Sequence, residues 1–284
     1  MGYLYYLKGD PRQAASFFKR SLELSEKEGI TQGIVLNSLS LGRLTTVRLR
    51  AQQLQPAAIA MDARERQAEI RLAAEKINLA LRHLDQSLAV YARTRCQLLL
   101  LLAELAMADS AAPDQAAEGQ IAASFQFLHN SSDARAYLDE ALQVSREQYL
   151  HPEETQTTFA LADLFARLGD LVDSYRFAQR SRKLALRFGV YDVVWQADVL
   201  IGDLIDRMSA ADRRSLLVQL DPLECYQEAI AVMEAHPQTR KGLEAASQRI
   251  SQRIPYQRAL RYLLRLGDVE GALAFAERDR KSVV

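Results

Sequence analysis

Net charge is missing from this chain. Its 36 lysines and arginines offset 36 aspartates and glutamates over 284 residues. A general nucleic-acid binder needs a basic footprint, so the balance argues against that class. Cysteine is almost missing too. Cys96 and Cys225 lie far apart and read as buried, reduced thiols rather than a disulfide framework or a nucleophile. Tryptophan occurs once, and the 12 glycines and 7 prolines leave room for long helices joined by short turns. The apolar run Leu98 to Ala108, interrupted by Glu104, falls far short of the ~20 residues that cross a membrane. The opening Met1-Gly2-Tyr3-Leu4-Tyr5-Tyr6 places Tyr where a myristoylation signal needs Ser or Thr. Asn130-Ser131-Ser132 spells a glycosylation site but reads as a turn and helix cap. These absences point to a cytoplasmic chain with no membrane partner.

Recognisable catalytic and ligand-binding patterns are also lacking. The four histidines, His83, His129, His151 and His236, have no second ligand at metal spacing. No phosphate-cradling loop, dinucleotide fingerprint or nucleophile elbow occurs. Asp203 and Asp206 share a helix face, but acid–base work needs a shaped, desolvated pocket. No enzyme, metal or cofactor is expected.

What the chain does have is a repeated phrase. A small residue is followed seven steps later by Gly-Asp, and by another small residue five steps past that glycine. It reads Gly2…Gly9-Asp10…Ala14 and Ala162…Gly169-Asp170…Ser174, and returns with Leu in the first position as Leu260…Gly267-Asp268…Ala272. The physical content is a helix hairpin. Glycine suits the left-handed position just past a helix end, and Asp suits the N-cap of the next helix. Pro11 fits the first helical position, where its missing N–H is no loss. Small residues on both helices let the backbones approach. Gly2 to Gly42 and Ala162 to Gly202 are both steps of 40 residues. No segment alternates with period two over enough length to suggest a sheet.

The expected organisation is a single all-α array over 1–284, with hairpins at about 1–28, 31–92, 94–148, 153–187, 191–234 and 250–281. Insertions are expected at 51–72 and 109–132, the second Ala-, Ser- and Asp-rich around Pro113. The basic stretch from Arg249 to Lys281 lacks interleaved aromatics and reads as a solvated helix face.

The pattern resembles the tetratricopeptide repeat. Gly2, Tyr5, Ala14, Phe18 and Ser21 match its signature, as do Ala162, Phe165, Ser174, Ala178 and Ser181. Ile201-Gly202 with Ile205, Tyr226 and Ala229 matches less closely, and Leu260, Leu263, Ala272 and Ala276 match at the end. The spacing is about 40 rather than 34 residues, and Trp195 lies out of phase. The resemblance implies a helical-repeat solenoid, a right-handed superhelix of helix hairpins. Near the C-terminus, Tyr226-Gln227-Glu228-Ala229-Ile230 and the run from Tyr262 to Arg278 resemble the repeats that precede a caspase-like CHAT peptidase domain.

In such scaffolds the first helix of each hairpin lines a concave groove. By phase with the small residue, the groove side takes Tyr3, Tyr6, Arg43, Phe159, Asp163, Arg167, Val199, Asp203, Asp206 and Arg261. Aromatic and arginine side chains suit binding hot spots. The resemblance thus implies a scaffold for a protein or peptide ligand, the regulatory or sensor repeat region of a larger protein such as a CHAT-type peptidase, with a covalently linked downstream domain. The alternatives are the sensor repeats of a transcription regulator or ATPase, or a stand-alone adaptor.

Overall fold

A computed structural model describes residues 1–54, 62–84, 91–109, 120–237 and 251–282. Among these every regular element is an α-helix. They are α1 (Gly2–Lys8), α2 (Pro11–Lys27), α3 (Thr31–Leu54), α4 (Ala63–Leu84), α5 (Ala92–Asp109), α6 (Gln120–Glu147), α7 (His151–Leu168), α8 (Leu171–Phe188), α9 (Tyr191–Arg207), α10 (Ala210–Ser215), α11 (Pro222–Ala235), α12 (Ile254–Leu266) and α13 (Val269–Ser282). Helices close in sequence pack on one another, and the architecture is an all-α helical-repeat solenoid.

The repeated Gly-Asp turns have the geometry their composition dictates. Gly9, Gly169 and Gly267 sit at φ 79°, 83° and 81°, where any side chain would strain the backbone. The following Asp then caps the next helix. Asp10 accepts from the Gln13 N–H at 3.0 Å, Asp170 from Asp173 at 3.0 Å and Asp268 from Gly271 at 2.9 Å. Each turn therefore ends one helix and starts the next within two residues.

The chain forms two compact units. The first covers Met1–Glu153 with residues 240–247, and the second covers Glu154–Thr239 with Gln248–Val284. In the first unit, Tyr6, Ala14, Phe18 and Leu22 of α1 and α2 share a core cluster with Ile34, Leu41 and Leu44 of α3. A larger cluster joins α3, α4 and α5 through Leu39, Leu49, Ile77, Leu98, Leu102 and Leu105. Residues 98–103 of α5 are buried without a break, as a helix apolar on all sides must be. No helix among the described residues is long and apolar enough to cross a membrane. Cys96 is buried here; loss of hydration pushes its thiol up to about 12.

The expected insertions fall partly on helix. α3 continues to Leu54 and α4 starts at Ala63, while residues 55–61, including the Pro56 break, lie outside the described residues. α6 begins at Gln120; residues 110–119 with Pro113 lie outside the described set, as do 238–250 before α12.

In the second unit, α7 and α8 are tied by buried side chains as well as by their turn. The Ser174 hydroxyl donates to the Ala162 carbonyl at 2.7 Å, and the Ser181 hydroxyl to the Thr155 carbonyl at 3.0 Å. A small residue allows such reach. Ala162, Ala166, Tyr175 and Ala178 then share a cluster with Ile201, Leu204 and Ile205 of α9. Farther on, Trp195 and Val199 of α9 meet Ala229, Ile230 and Met233 of α11 and Tyr256 of α12. Cys225 is a second buried thiol, also pushed up to about 12 by burial.

Gly202 of α9 packs closely on α11. A Cβ there would lie 2.6 Å from a ring carbon of Tyr226, which is itself buried. Alanine in place of a mid-helix glycine gains about 1 kcal/mol of helix propensity, whereas overpacking a rigid core costs about 1–3 kcal/mol. Gly202→Ala is expected to lower the melting temperature. An unchanged or raised value would mean that the α9–α11 crossing is not set at Gly202.

Candidate binding surface

Three of the four aspartates of α9, Asp198, Asp203 and Asp206, each meet a partner from a neighbouring helix of the second unit. Asp198 is only 2% exposed. Its carboxylate accepts from the Arg182 guanidinium of α8, which also reaches Glu228 of α11 at 2.6 Å. The other Asp198 oxygen, Oδ2, has no hydrogen-bond partner. Burial raises this carboxyl from its ordinary 3.8 to about 6, against the opposing pull of Arg182.

Asp203 accepts from the Tyr226 hydroxyl at 2.9 Å and pairs with Arg258 of α12 at 3.1 Å. Burial raises its pKa, with Arg258 opposing. Burial and the adjoining Asp203 also push the Tyr226 phenol up. Asp206 pairs with Arg265 of α12, whose guanidinium lies 5.3 Å from the Tyr262 ring centroid. Tyr262 donates in turn to Asp221, the N-cap of α11, at 3.0 Å. One helix farther out, Arg278 of α13 binds Glu234 through contacts of 3.0 and 2.5 Å, and Tyr256 donates to the same carboxylate at 2.7 Å. These contacts hold the Glu234 carboxyl below its ordinary value.

The residues expected to line a groove are therefore in different situations. Asp203 and Asp206 stand together on α9, but both carboxylates are engaged by arginines of α12. Val199 is buried in the α9–α11 core. Phe159 is half-buried against Ala185, Val193 and Val194. Asp163 and Arg167 pair with each other along α7 at 2.8 Å. Arg261 is exposed on α12. In the first unit, Tyr3 is 63% exposed and stacks at 6.3 Å on Tyr6, which is buried in the α1–α3 core. Arg43 is exposed on α3 and donates to Gln97 of α5 at 2.9 Å.

Asp198 and Arg182 escaped reading from the residues, and Arg258 and Arg265, read as part of a solvated basic face, instead engage Asp203 and Asp206. Asp198 had a signal: an acid between Ala197 and Val199 in an otherwise apolar stretch, four residues before Gly202. Among the described residues, no group of three or more His, Cys, Asp or Glu could hold a metal ion.

No protein-family profile and no curated protein matches the chain. Among solved structures it is similar to BtubC (BKLC) from P. vanneervenii, at 14% identity over 95% of this chain and 90% of that one, with a TM-score of 0.61. At that identity the likeness concerns the helical-repeat fold alone.

The Asp198 carboxyl makes stability depend on pH with a definite sign. Between about pH 4 and 6 the folded protein holds a proton here that the unfolded chain has released, so stability falls as pH rises through that window. Asp198→Asn removes this contribution. The variant should gain on the wild type by about 2–3 kcal/mol between pH 4 and 7, at 1.36 kcal/mol per pKa unit. Urea unfolding at both pH values checks it; an equal difference at the two would rule out Asp198 as the titrating group.

Proposed function

We propose that this chain is a protein- or peptide-binding scaffold of the tetratricopeptide type, working as the regulatory or sensor repeat region of a larger protein such as a CHAT-type peptidase. The observation that carries the reading is the division of labour on the first helices of the hairpins. Their small residues Gly2, Gly42, Ala162 and Gly202 are packed on neighbouring helices, while Arg43 on α3 and Arg261 on α12 stay exposed, with Tyr3 exposed on α1. A preformed surface lowers the ordering cost of binding. Asp203 and Asp206 drop out of the contact set because α12 already engages them. The remaining aromatic and guanidinium groups suit a partner segment that carries carboxylates. In the CHAT-type context the chain supplies recognition, and a linked peptidase domain supplies the chemistry.

Two experiments test this reading. Selection from a displayed peptide library on the intact chain should enrich sequences rich in Asp and Glu; enrichment no better than on an unrelated helical protein would reject the scaffold role. For a selected peptide, Tyr3→Ala combined with Arg43→Ala if it binds the first unit, or Arg261→Ala if it binds the second, should weaken binding at least tenfold with unchanged helicity. Full binding by both variants would remove these residues from the site. Sequencing the native transcript on both sides of the chain tests the context: a caspase-like His and Cys downstream supports the peptidase arm, and a stop codon near Val284 rejects it.

A further inference from the structure

α8 carries Arg176, Arg180, Arg182, Lys183 and Arg187 against a single acid, Asp173. Four of these cations fall on one line. Arg176, Arg180, Lys183 and Arg187 follow one another at four, three and four residues, a spacing that keeps them in one narrow stripe of a helix. All four are exposed. The stripe lies on the side of α8 opposite its buried residues Ser174, Ala178, Ser181 and Ala185. The repeat itself does not call for such a stripe. Counting from Gly9-Asp10, the equivalent positions of α2 are Ser16, Arg20, Glu23 and Lys27, and Glu23 breaks the run.

The carboxylates around α8 answer only part of this charge. Arg176 pairs with Asp173 at 3.0 Å, and Arg180 reaches Glu154 of α7 at 3.7 Å. Exposed pairs of this kind are worth little, and a guanidinium with five N–H donors keeps some for another acid. Arg182 lies off the stripe and turns inward to Asp198 and Glu228. Lys183 and Arg187 meet no carboxylate among the described residues; the Arg187 guanidinium lies 5.3 Å from the Phe188 ring centroid.

We propose that this face of α8 docks a helix of a partner protein that carries Asp or Glu at the same spacing of four, three and four residues. The stripe rises along α8 in axial steps of about 6, 4.5 and 6 Å. A helix laid alongside presents its carboxylates at the same steps. The order of steps is the same from either end, so the partner helix fits in both directions. Guanidinium and ammonium groups donate charge-assisted hydrogen bonds to those carboxylates. Leu186, 45% exposed beside the stripe, adds an apolar edge to the contact. A nucleic acid suits this face less well. The stripe holds no aromatic side chain on which a base could stack, and the balanced charge of the chain supplies no broad basic footprint. None of Tyr3, Arg43 and Arg261 belongs to this helix.

The test titrates the full chain into two labelled peptides of about 18 residues, long enough to hold a helix, and reads fluorescence anisotropy. Both peptides have the same content of Ala, Gln and Glu. One carries four Glu at the four-three-four spacing, and the other spreads them around the helix. The first should bind tighter by about fivefold or more, and its binding should fade as salt rises from about 50 to 500 mM. Lys183→Glu combined with Arg187→Glu should weaken it at least tenfold with unchanged helicity by circular dichroism, whereas Arg261→Ala should bind it like the wild type. Equal affinity for the two peptides would overturn the proposal, as would full binding by the double variant or lost binding by Arg261→Ala. Tighter binding of an oligothymidylate than of the first peptide would overturn it in favour of a phosphate-binding face. Should the double variant lose helicity, Lys183→Gln combined with Arg187→Gln takes its place, with a loss of about threefold expected.

Discussion

Close approach of paired helices, bought by one small residue per crossing, is the constraint on which this molecule rests. At Gly2, Gly42 and Gly202 a single added carbon would fall 2.8, 2.8 and 2.6 Å from Phe18, Ile77 and Tyr226. At Ala162 the same closeness lets Ser174 reach across to a backbone carbonyl. With the spacing fixed there, the large side chains on either flank have one place to go, and the next helix inherits its seat. A repeat array has no single centre, so this local rule, applied hairpin by hairpin, sets its stability.

Charge is organised around that packing rather than apart from it. The balanced composition conceals a row of aspartates on α9 answered by arginines from α8 and α12, with Tyr226, Tyr256 and Tyr262 supplying hydroxyls to carboxylates nearby. Exposed ion pairs contribute little each, but Asp198 is withdrawn from water beside a half-buried Arg182, and a buried charge without its partner costs several kcal/mol. The row ties α9 to α8 and α12, and Arg182 reaches on to α11.

Much of the fold was legible because its signals are local. Glycine past a helix end, aspartate at the next cap and a small residue seven steps back each act within one hairpin, and Gly9-Asp10, Gly169-Asp170 and Gly267-Asp268 adopt the geometry that their residue types require. The surface was less legible because side-chain fate is decided across the chain. Helical phase puts Tyr3 and Tyr6 on one side of α1, yet Tyr6 closes over the α3 core and Tyr3 remains in water. The same phase groups Asp203 with Asp206 but cannot show that Arg258 and Arg265, more than fifty residues later, will hold them. Asp198 was readable only as an acid out of place in an apolar stretch.

The α9 row also limits how the second unit can be shortened. Removing α12 and α13 would take away Arg258, Arg265 and Arg278 together and leave Asp203, Asp206 and Glu234 without these counterions. It would also uncover Trp195, Val199 and Met233, which now pack with Tyr256. The last hairpin therefore acts as a lock on the two helices before it. A truncation that ends at α11 would not behave as a shorter version of the same protein, because the cut would pass through an ionic network rather than between repeats.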